Sequence, residues 1–310
     1  MVVVLTGGTG GAKLIHGLSL VLPHEELFII CNTGDDFILH GLHISPDLDT
    51  ITYTLAGIAD PAKGWGIKND TFNFLEALAR LGGEAWFKLG DRDLATHITR
   101  SVLLAEGRSL SKATETIRKA LGVKSVIVPM SDNRIETRIV TPAGEISFQE
   151  FFVKRRCADE VTTLTFSGVE NSRPAPGIEA AILAASLVIV CPSNPVTSIG
   201  PILAVPGIRT ALKQTQAPVI AVSPIIQDAP VSGPAHKLMA AAGMEVSACG
   251  VAAAYADFLD VIFIAPEDRA LTEKFHALKV EARPTSILLD SAAARERLAQ
   301  EILAAVNFVP

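Results

Sequence analysis

The hydrophobic residues of this chain fall into short continuous runs that alternate with segments of helical periodicity. The first run, Val2 to Leu5, is apolar and mostly β-branched, and the segment after it places Leu14, Leu18 and Val21 on one helix face. Similar apolar runs occupy positions 27–31, 125–129, 187–191, 218–222 and 261–264. Strands that are apolar on both faces are typical of a parallel sheet covered by helices on each side. The pattern therefore predicts an α/β fold with a doubly wound, mostly parallel sheet.

Two regions interrupt this alternation. Positions 46–122 carry several amphipathic helices in succession, which predicts a helical insertion. In positions 131–175 the turn from Thr141 to Gly144 predicts a hairpin, so this segment is expected to be a small antiparallel excursion. Because neither a repeat nor a low-complexity linker is apparent, positions 1–310 are interpreted as a single domain.

Composition excludes several classes of function. The net charge is −6 without a basic block, which argues against a dedicated nucleic-acid surface. The longest apolar stretch, 180–191, is too short to span a bilayer, and Met1 runs into the first strand without a secretory signal. We therefore expect a soluble cytoplasmic protein with no membrane partner. The four cysteines lie far apart and are interpreted as buried thiols.

A glycine-rich loop follows the first strand, before a helical pattern that begins at Ala12. Its glycines are Gly7, Gly8, Gly10 and Gly11. Glycines let backbone N–H groups approach an anion, and a helix directs its positive end there. The phosphate-loop and dinucleotide fingerprints both fail at Lys13, which follows Ala12 and precedes Leu14. The loop predicts a nucleotide or phosphate ligand, and a strand-to-helix turn without a ligand stays open as the alternative.

Carboxylates cluster after the second strand. Asp35 and Asp36 end that strand, while Asp47 and Asp49 stand in the first turn of a helix that Ser45 would cap. Turn and capping chemistry alone can explain all four. Their crowding near a predicted anion site instead favours a magnesium ion that reconciles the charges.

An arginine-bearing helix follows. If it begins near Asp91, then Arg92, Thr96 and Arg100 share one face, and Arg92 is interpreted either as a phosphate clamp or as a solvated side chain.

Two more polar loops follow buried strands, at 192–202 and at 223–235. Because the carboxyl ends of parallel strands meet at one edge of the sheet, these two loops and the glycine-rich loop are predicted to lie together at that edge.

These segments together are similar to the 2-phospho-L-lactate transferase family of coenzyme F-420 biosynthesis, whose members bind a deazaflavin and adopt a Rossmann-like fold. The motifs that carry the resemblance are TGGTGG at 6–11, NTGDD at 32–36, ISPDLDT at 44–50, WGIKNDTF at 65–72, KLGDRD at 88–93, PSNPVTSIGPI at 192–202 and the segment 223–235 that ends in VSGPA. They cover nearly the whole chain in order, which makes the set more specific than a single glycine loop.

The resemblance implies transfer of a phosphorylated three-carbon acid from a GDP-linked donor to the ribityl hydroxyl of a deazaflavin riboside (Fo), with release of GMP and a requirement for Mg²⁺. It implies that Asp49 and Arg92 bind the acceptor, in a site formed in part by 46–122. From this we predict catalytic roles for Asp49 and Arg92, and we hypothesise that Asp49 holds the Mg²⁺ with help from Asp36 or Asp47. The residues implied for the donor are Gly7, Gly8, Thr9, Gly10, Gly11, Lys13, Ser193, Asn194, Thr197, Ser198, Ser232 and Gly233. The resemblance also leaves room for a homodimer.

Three alternatives stay open at this level. The acid is lactate, an enolpyruvate or a glycerate. Asp49 is either a metal ligand or the group that positions the acceptor hydroxyl. A non-catalytic nucleotide-sugar-binding regulator, similar to the gluconeogenesis-factor family, shares the glycine loop but does not need the motifs around Asp49 and Arg92.

Overall fold

All six apolar runs form strands of one seven-stranded parallel sheet, which confirms the predicted fold class. The computed structural model describes residues 1–308. The strands are β1 (Val2–Thr6), β2 (Leu27–Cys31), β3 (Phe37–Leu39), β4 (Leu42–Ile44), β5 (Val126–Pro129), β6 (Glu136–Thr141), β7 (Gly144–Ser147), β8 (Thr163–Ser167), β9 (Leu187–Val190), β10 (Val219–Val222), β11 (Ile225–Ile226), β12 (Ala229–Pro230), β13 (Val261–Ile264) and β14 (Glu281–Pro284).

Helices cover both faces of the sheet. They are α1 (Gly8–Val21), α2 (Pro46–Leu55), α3 (Asn73–Arg80), α4 (Asp91–Ala105), α5 (Leu110–Ala120), α6 (Ile178–Leu183), α7 (Ile199–Ala204), α8 (Ile208–Gln214), α9 (Ala235–Ala241), α10 (Ala248–Tyr255), α11 (Thr272–Ala277) and α12 (Ala292–Ala305). Within the part of the chain that the structure describes, no helix is long and apolar enough to cross a bilayer.

The order of the central sheet is β14-β13-β10-β9-β1-β2-β5, and every neighbouring pair is parallel. The chain moves outward from β1 through β2 to β5, returns to the other side of β1 at β9, and continues outward from there. The direction of winding therefore reverses between β1 and β9, which is where a doubly wound sheet opens a ligand crevice at its carboxyl edge.

Alternate residues of β1 supply two separate hydrophobic layers. Val3 and Leu5 belong to the layer that also contains Ile182 of α6, whereas Val2 and Val4 face the layer with Leu14 of α1. This two-sided burial explains why the strand reads as a continuous apolar run rather than as an alternating one.

The two interruptions of the alternation contain the expected kinds of element. Helices α2 to α5 lie between β2 and β5 in sequence, and α4 begins at Asp91 as predicted. In the second interruption, β6 and β7 form the predicted hairpin, and β8 pairs antiparallel with β6. One helix start was wrong: α1 begins at Gly8 rather than at Ala12, so the glycines form its first turn.

Candidate active site at the carboxyl edge of the sheet

A cavity of about 360 Å³ lies at the carboxyl edge, where the loops after β1 and β9 face each other. The predicted residues that line it are Gly7, Gly8, Thr9, Gly10, Lys13, Asp47, Asp49, Ser193, Asn194, Thr197, Ser198, Ser232 and Gly233. Gly11, Asp36 and Arg92 lie outside this lining. The fold thus brings most of the predicted residues to one place from four separate segments of the chain.

The glycine-rich loop packs directly against the loop that follows β9. A Cβ atom on Gly10 would lie 2.4 Å from the backbone oxygen of Pro192, far inside van der Waals contact. Gly8 has a φ of 69°, in the left-handed region that favours glycine. Close loop packing therefore accounts for much of the glycine density that the sequence attributes to a ligand.

The first turn of α1 has backbone N–H groups that the helix itself cannot satisfy. The N–H of Gly7 donates to Ser193 Oγ at 3.3 Å, and that of Gly8 donates to Asp47 Oδ1 at 2.7 Å. Thr9 and Gly10 come next along the turn and line the cavity. Because the positive end of the helix dipole points here, these two positions are the ones suited to an anion.

Asp47 is a buried carboxylate that holds the glycine loop in place. Its Oδ2 accepts a hydrogen bond from Asn32 Nδ2 at 3.0 Å, while its Oδ1 accepts from Gly8. Burial raises the pKa of Asp47 to about 6, although the hydrogen bonds from Asn32 and Gly8 oppose the shift. Within residues 1–308 Asp47 forms no ion pair, so its charge adds to the cavity without neutralisation.

The neighbouring carboxylates face different surroundings. Asp35 lines both the main cavity and an adjoining cavity of about 290 Å³, and its Oδ1 has no hydrogen-bond partner among the described residues. Burial, followed by the charges of Asp47 and Asp36, raises the pKa of Asp35. Asp36 lines the adjoining cavity, where its Oδ2 accepts from Ser45 Oγ at 2.6 Å and contacts His43 Nε2 at 2.9 Å.

Asp49 belongs to a separate buried cluster in the wall of the cavity. Both of its carboxylate oxygens accept hydrogen bonds from the guanidinium group of Arg100. His97 Nδ1 lies 3.5 Å from Asp49 Oδ2, and His97 Nε2 lies 3.3 Å from Asp93 Oδ1. The hydroxyl of Tyr53 donates to the same oxygen of Asp93 at 2.7 Å. A cationic side chain thus neutralises Asp49, in contrast to Asp35 and Asp47.

The carboxylates predicted to share a magnesium ion are not brought together by the fold. Among residues 1–308, the three potential ligand atoms that lie within 4.8 Å of one another belong to Asp49, Asp93 and His97. Both carboxylate oxygens of Asp49 already accept hydrogen bonds from Arg100. Asp35 and Asp47 fit a hard cation better, because both line the cavity and form no ion pair within the described residues. Their oxygen donors are of the type that Mg²⁺ prefers.

Aromatic side chains also line the cavity, and they are called the aromatic wall below. They are Trp65, Phe87, Phe148 and Phe152, and the rings of Phe148 and Phe152 stack with centroids 5.5 Å apart. Trp65 is 39% exposed. The sequence analysis assigned no role to these side chains, although Trp65 opens the motif at 65–72 and aromatic residues make up only 5% of the chain. Their rarity was the signal that could have identified them.

Two lysines, rather than the predicted arginine, supply positive charge to the cavity. Lys13 and Lys88 line it, and within residues 1–308 neither forms an ion pair. Arg92 is exposed at the start of α4, where its Nη1 donates to the backbone oxygen of Lys68 at 3.2 Å. The structure does not place Arg92 in the cavity, so its role as a phosphate clamp stays a prediction.

Comparison with known proteins matches nearly the full chain. A model of the family described as 2-phospho-L-lactate transferase CofD matches residues 2–305. The 2-phospho-L-lactate transferase of Methanosarcina mazei is 43% identical over 303 residues, covering 98% of this chain and 99% of that protein. The phosphoenolpyruvate transferase of Streptomyces griseus is 44% identical over 312 residues, covering 97% and 98%.

Among solved structures, a protein of the upf0052 family from Bacillus halodurans has a similar fold. Its TM-score is 0.64 at 17% identity, and the match covers 97% of this chain and 98% of that one. At this identity the likeness supports the fold alone.

Proposed function

Because this chain belongs to the 2-phospho-L-lactate transferase family and is a transferase, we propose that it moves a phosphorylated three-carbon acid from a GDP-linked donor to the ribityl hydroxyl of a deazaflavin riboside, releasing GMP. The observation that carries the proposal is the pairing, within one cavity, of a helix N-terminus suited to an anion with an aromatic wall suited to a flat ring system. Asp49 belongs to the lining of that same cavity.

The donor is assigned to the polar side of the cavity. Its diphosphate would meet the first turn of α1 at Thr9 and Gly10, and Lys13 would offset part of its charge. Asn194 supplies an amide group on the facing loop, while the hydroxyl of Ser193, which donates to the Gly7 backbone oxygen at 2.7 Å, holds the glycine-rich loop against it. This arrangement holds the reacting phosphorus in a fixed position, which is the main contribution that an enzyme makes to phosphoryl transfer.

The acceptor is assigned to the aromatic side. A deazaflavin ring would stack on Trp65 and Phe152, and its ribityl hydroxyl would donate a hydrogen bond to the Asp49 carboxylate. The hydroxyl oxygen forms the new bond to phosphorus while the bond between that phosphorus and the GMP oxygen breaks. The hydroxyl proton leaves to solvent, and GMP carries away the electron pair of the broken bond.

We assign a magnesium ion, when bound, to the carboxylates of Asp35 and Asp47, where it would supply charge neutralisation for the donor diphosphate. The amide of Asn32 and the N–H of Gly8 hold Asp47 in position for this role. The predicted contribution of Asp36 is less favoured, since its Oδ2 is committed to Ser45 and His43 in the adjoining cavity.

The proposal is tested by incubating the purified protein with Fo, Mg²⁺ and each of three GDP-linked donors, carrying lactate, enolpyruvate or glycerate. We expect mass spectrometry to detect GMP and the phosphodiester product with at least one donor, and EDTA to suppress it. Asp49→Asn should lower kcat about 100-fold, because loss of the ionised hydrogen-bond acceptor would misplace the attacking hydroxyl. Absence of product with all three donors, together with no change in deazaflavin fluorescence, would contradict the proposal.

The regulator considered from the sequence is not favoured. The transferase family model spans residues 2–305, and the aromatic wall that a flat acceptor requires is present in the same cavity as the glycine loop.

A further inference from the structure

The most completely buried charged side chain of the described chain belongs to Arg100. It is 1% exposed, lies on α4 and reaches across to Asp49 on α2. Its Nη1 donates to Asp49 Oδ2 at 3.1 Å, and its Nη2 donates to Asp49 Oδ1. The two terminal nitrogens therefore bind both carboxylate oxygens in a bidentate arrangement, which the planar guanidinium of arginine provides and the ammonium of lysine does not.

We propose that Arg100 is a positioning residue for the transfer reaction, which fixes the Asp49 carboxylate toward the acceptor hydroxyl and excludes it from metal coordination. This inference rests on the proposed function and assigns Asp49 one of the two roles that the sequence left open. Arg100 itself does not line the cavity, so it acts on the acceptor only through Asp49.

Contacts around the pair fix it further. Arg100 Nη1 also approaches the backbone oxygen of His43 at 3.4 Å and His97 Nδ1 at 3.4 Å. His97 lies 3.5 Å from Asp49 Oδ2, on the same oxygen that Nη1 contacts. A carboxylate held on both oxygens and packed on one side by an imidazole keeps a single orientation, and its remaining lone pairs are the ones left for a ligand.

The charge of the pair explains why Asp49 suits a hydroxyl better than a cation. A metal ion at Asp49 would lie close to the guanidinium charge, and this repulsion opposes coordination. A neutral hydroxyl meets no such repulsion and gains a hydrogen bond to an ionised acceptor. Asp35 and Asp47 have no cationic partner within residues 1–308, so a cation is favoured there instead.

The test compares two buried arginines. Arg100→Lys keeps the charge but loses the fork, whereas Arg118→Lys is a matched control, because Arg118 is also buried on α5 and donates Nη1 to the Val123 backbone oxygen at 3.0 Å. We expect Arg100→Lys to lower kcat about 100-fold, as a misplacement of about 1 Å can do, with the KM for the donor within about threefold of wild type. Arg118→Lys should leave kcat within about twofold.

Rescue separates positioning from folding. In Arg100→Ala, added methylguanidinium should raise kcat about tenfold without changing the KM for the donor. In Arg118→Ala, the same addition should change neither kcat nor this KM. If Arg100→Lys does not fold at the assay temperature, Arg100→Gln is judged by the same criteria. Equal kcat values for Arg100→Lys and Arg118→Lys, or a loss that appears only in the donor KM, would overturn the inference while leaving the proposed function intact. A wild-type protein without transferase activity would overturn both.

Discussion

Asp47 offers a sharp test of the electrostatics of this cavity. Its carboxylate is buried without an ion pair in the described chain, and its pKa is raised from 3.8 to about 6. The folded protein therefore binds this proton more tightly than the unfolded chain does. It follows that the wild type gains stability as the pH falls from 8 to 5, loses that gain as the pH rises through 6, and has the full gain below 3.8.

For this one group, the difference in free energy of unfolding between pH 5 and pH 8 is on the order of 1 kcal/mol. Asp47→Asn removes the titration while its amide oxygen can still accept from Gly8 N–H. Its amide nitrogen would then face the Asn32 donor, so we expect a further loss of about 1 kcal/mol that is independent of pH.

The assay is urea unfolding at pH 5, 6.5 and 8 in EDTA, followed by circular dichroism. The pH dependence should shrink in Asp47→Asn, and Asp290→Asn, which changes an exposed aspartate, should retain the wild-type dependence. Asp35 and Asp36 also have raised pKa values, and because the charge of Asp47 contributes to the shift at Asp35, the difference between wild type and Asp47→Asn includes this indirect contribution in the same direction. An unchanged pH dependence in Asp47→Asn would refute the account of an uncompensated buried charge.

Three further predictions test the rest of the cavity. Gly10→Ala places a Cβ atom against the Pro192 backbone oxygen, and overpacking of this kind should lower the melting temperature by about 2–6 °C; an unchanged melting curve would contradict the close packing of the two loops. Trp65→Ala should raise the KM for the deazaflavin about tenfold while sparing the KM for the donor, and equal effects on both would remove Trp65 from the acceptor side. Lys13→Ala should raise the KM for the donor more than Arg92→Ala does, as steady-state kinetics would detect; the reverse order would restore Arg92 as the phosphate clamp.

Most of the central sheet was predictable because strands that are buried on both faces appear in the sequence as continuous apolar runs. Strand β14 escaped prediction for the opposite reason: Glu281 to Pro284 is a half-exposed edge strand with two charged residues and a proline. The hairpin of β3 and β4 has strands of only three residues, and its turn places His40 and Gly41 at positive φ. Such short elements depend on their tertiary surroundings more than on local pattern.

The candidate site was predictable in its location but not in its pairings. Helical spacing put Arg92 and Arg100 on one face of α4, and nothing local to that helix distinguishes them. The distinction comes from α2, which packs so that Asp49 meets Arg100 across 51 positions of sequence. Likewise, Asp47 was predicted as a metal ligand from its neighbours in sequence, whereas its contacts with Asn32 and Gly8 come from two other loops.

These pairings divide the carboxylates of the cavity into two kinds, and the division has a chemical consequence. Asp35 and Asp47 would repel a diphosphate that entered alone, so we expect the donor to bind tightly only together with a cation. Asp49 carries the same formal charge, but Arg100 neutralises it, so the group that we propose to hold the acceptor would neither repel the donor nor compete for its cation. With one carboxylate neutralised by an arginine and two others without a cationic partner in the described chain, the proposed substrates would fit one cavity: an anion with its counter-ion beside an uncharged alcohol.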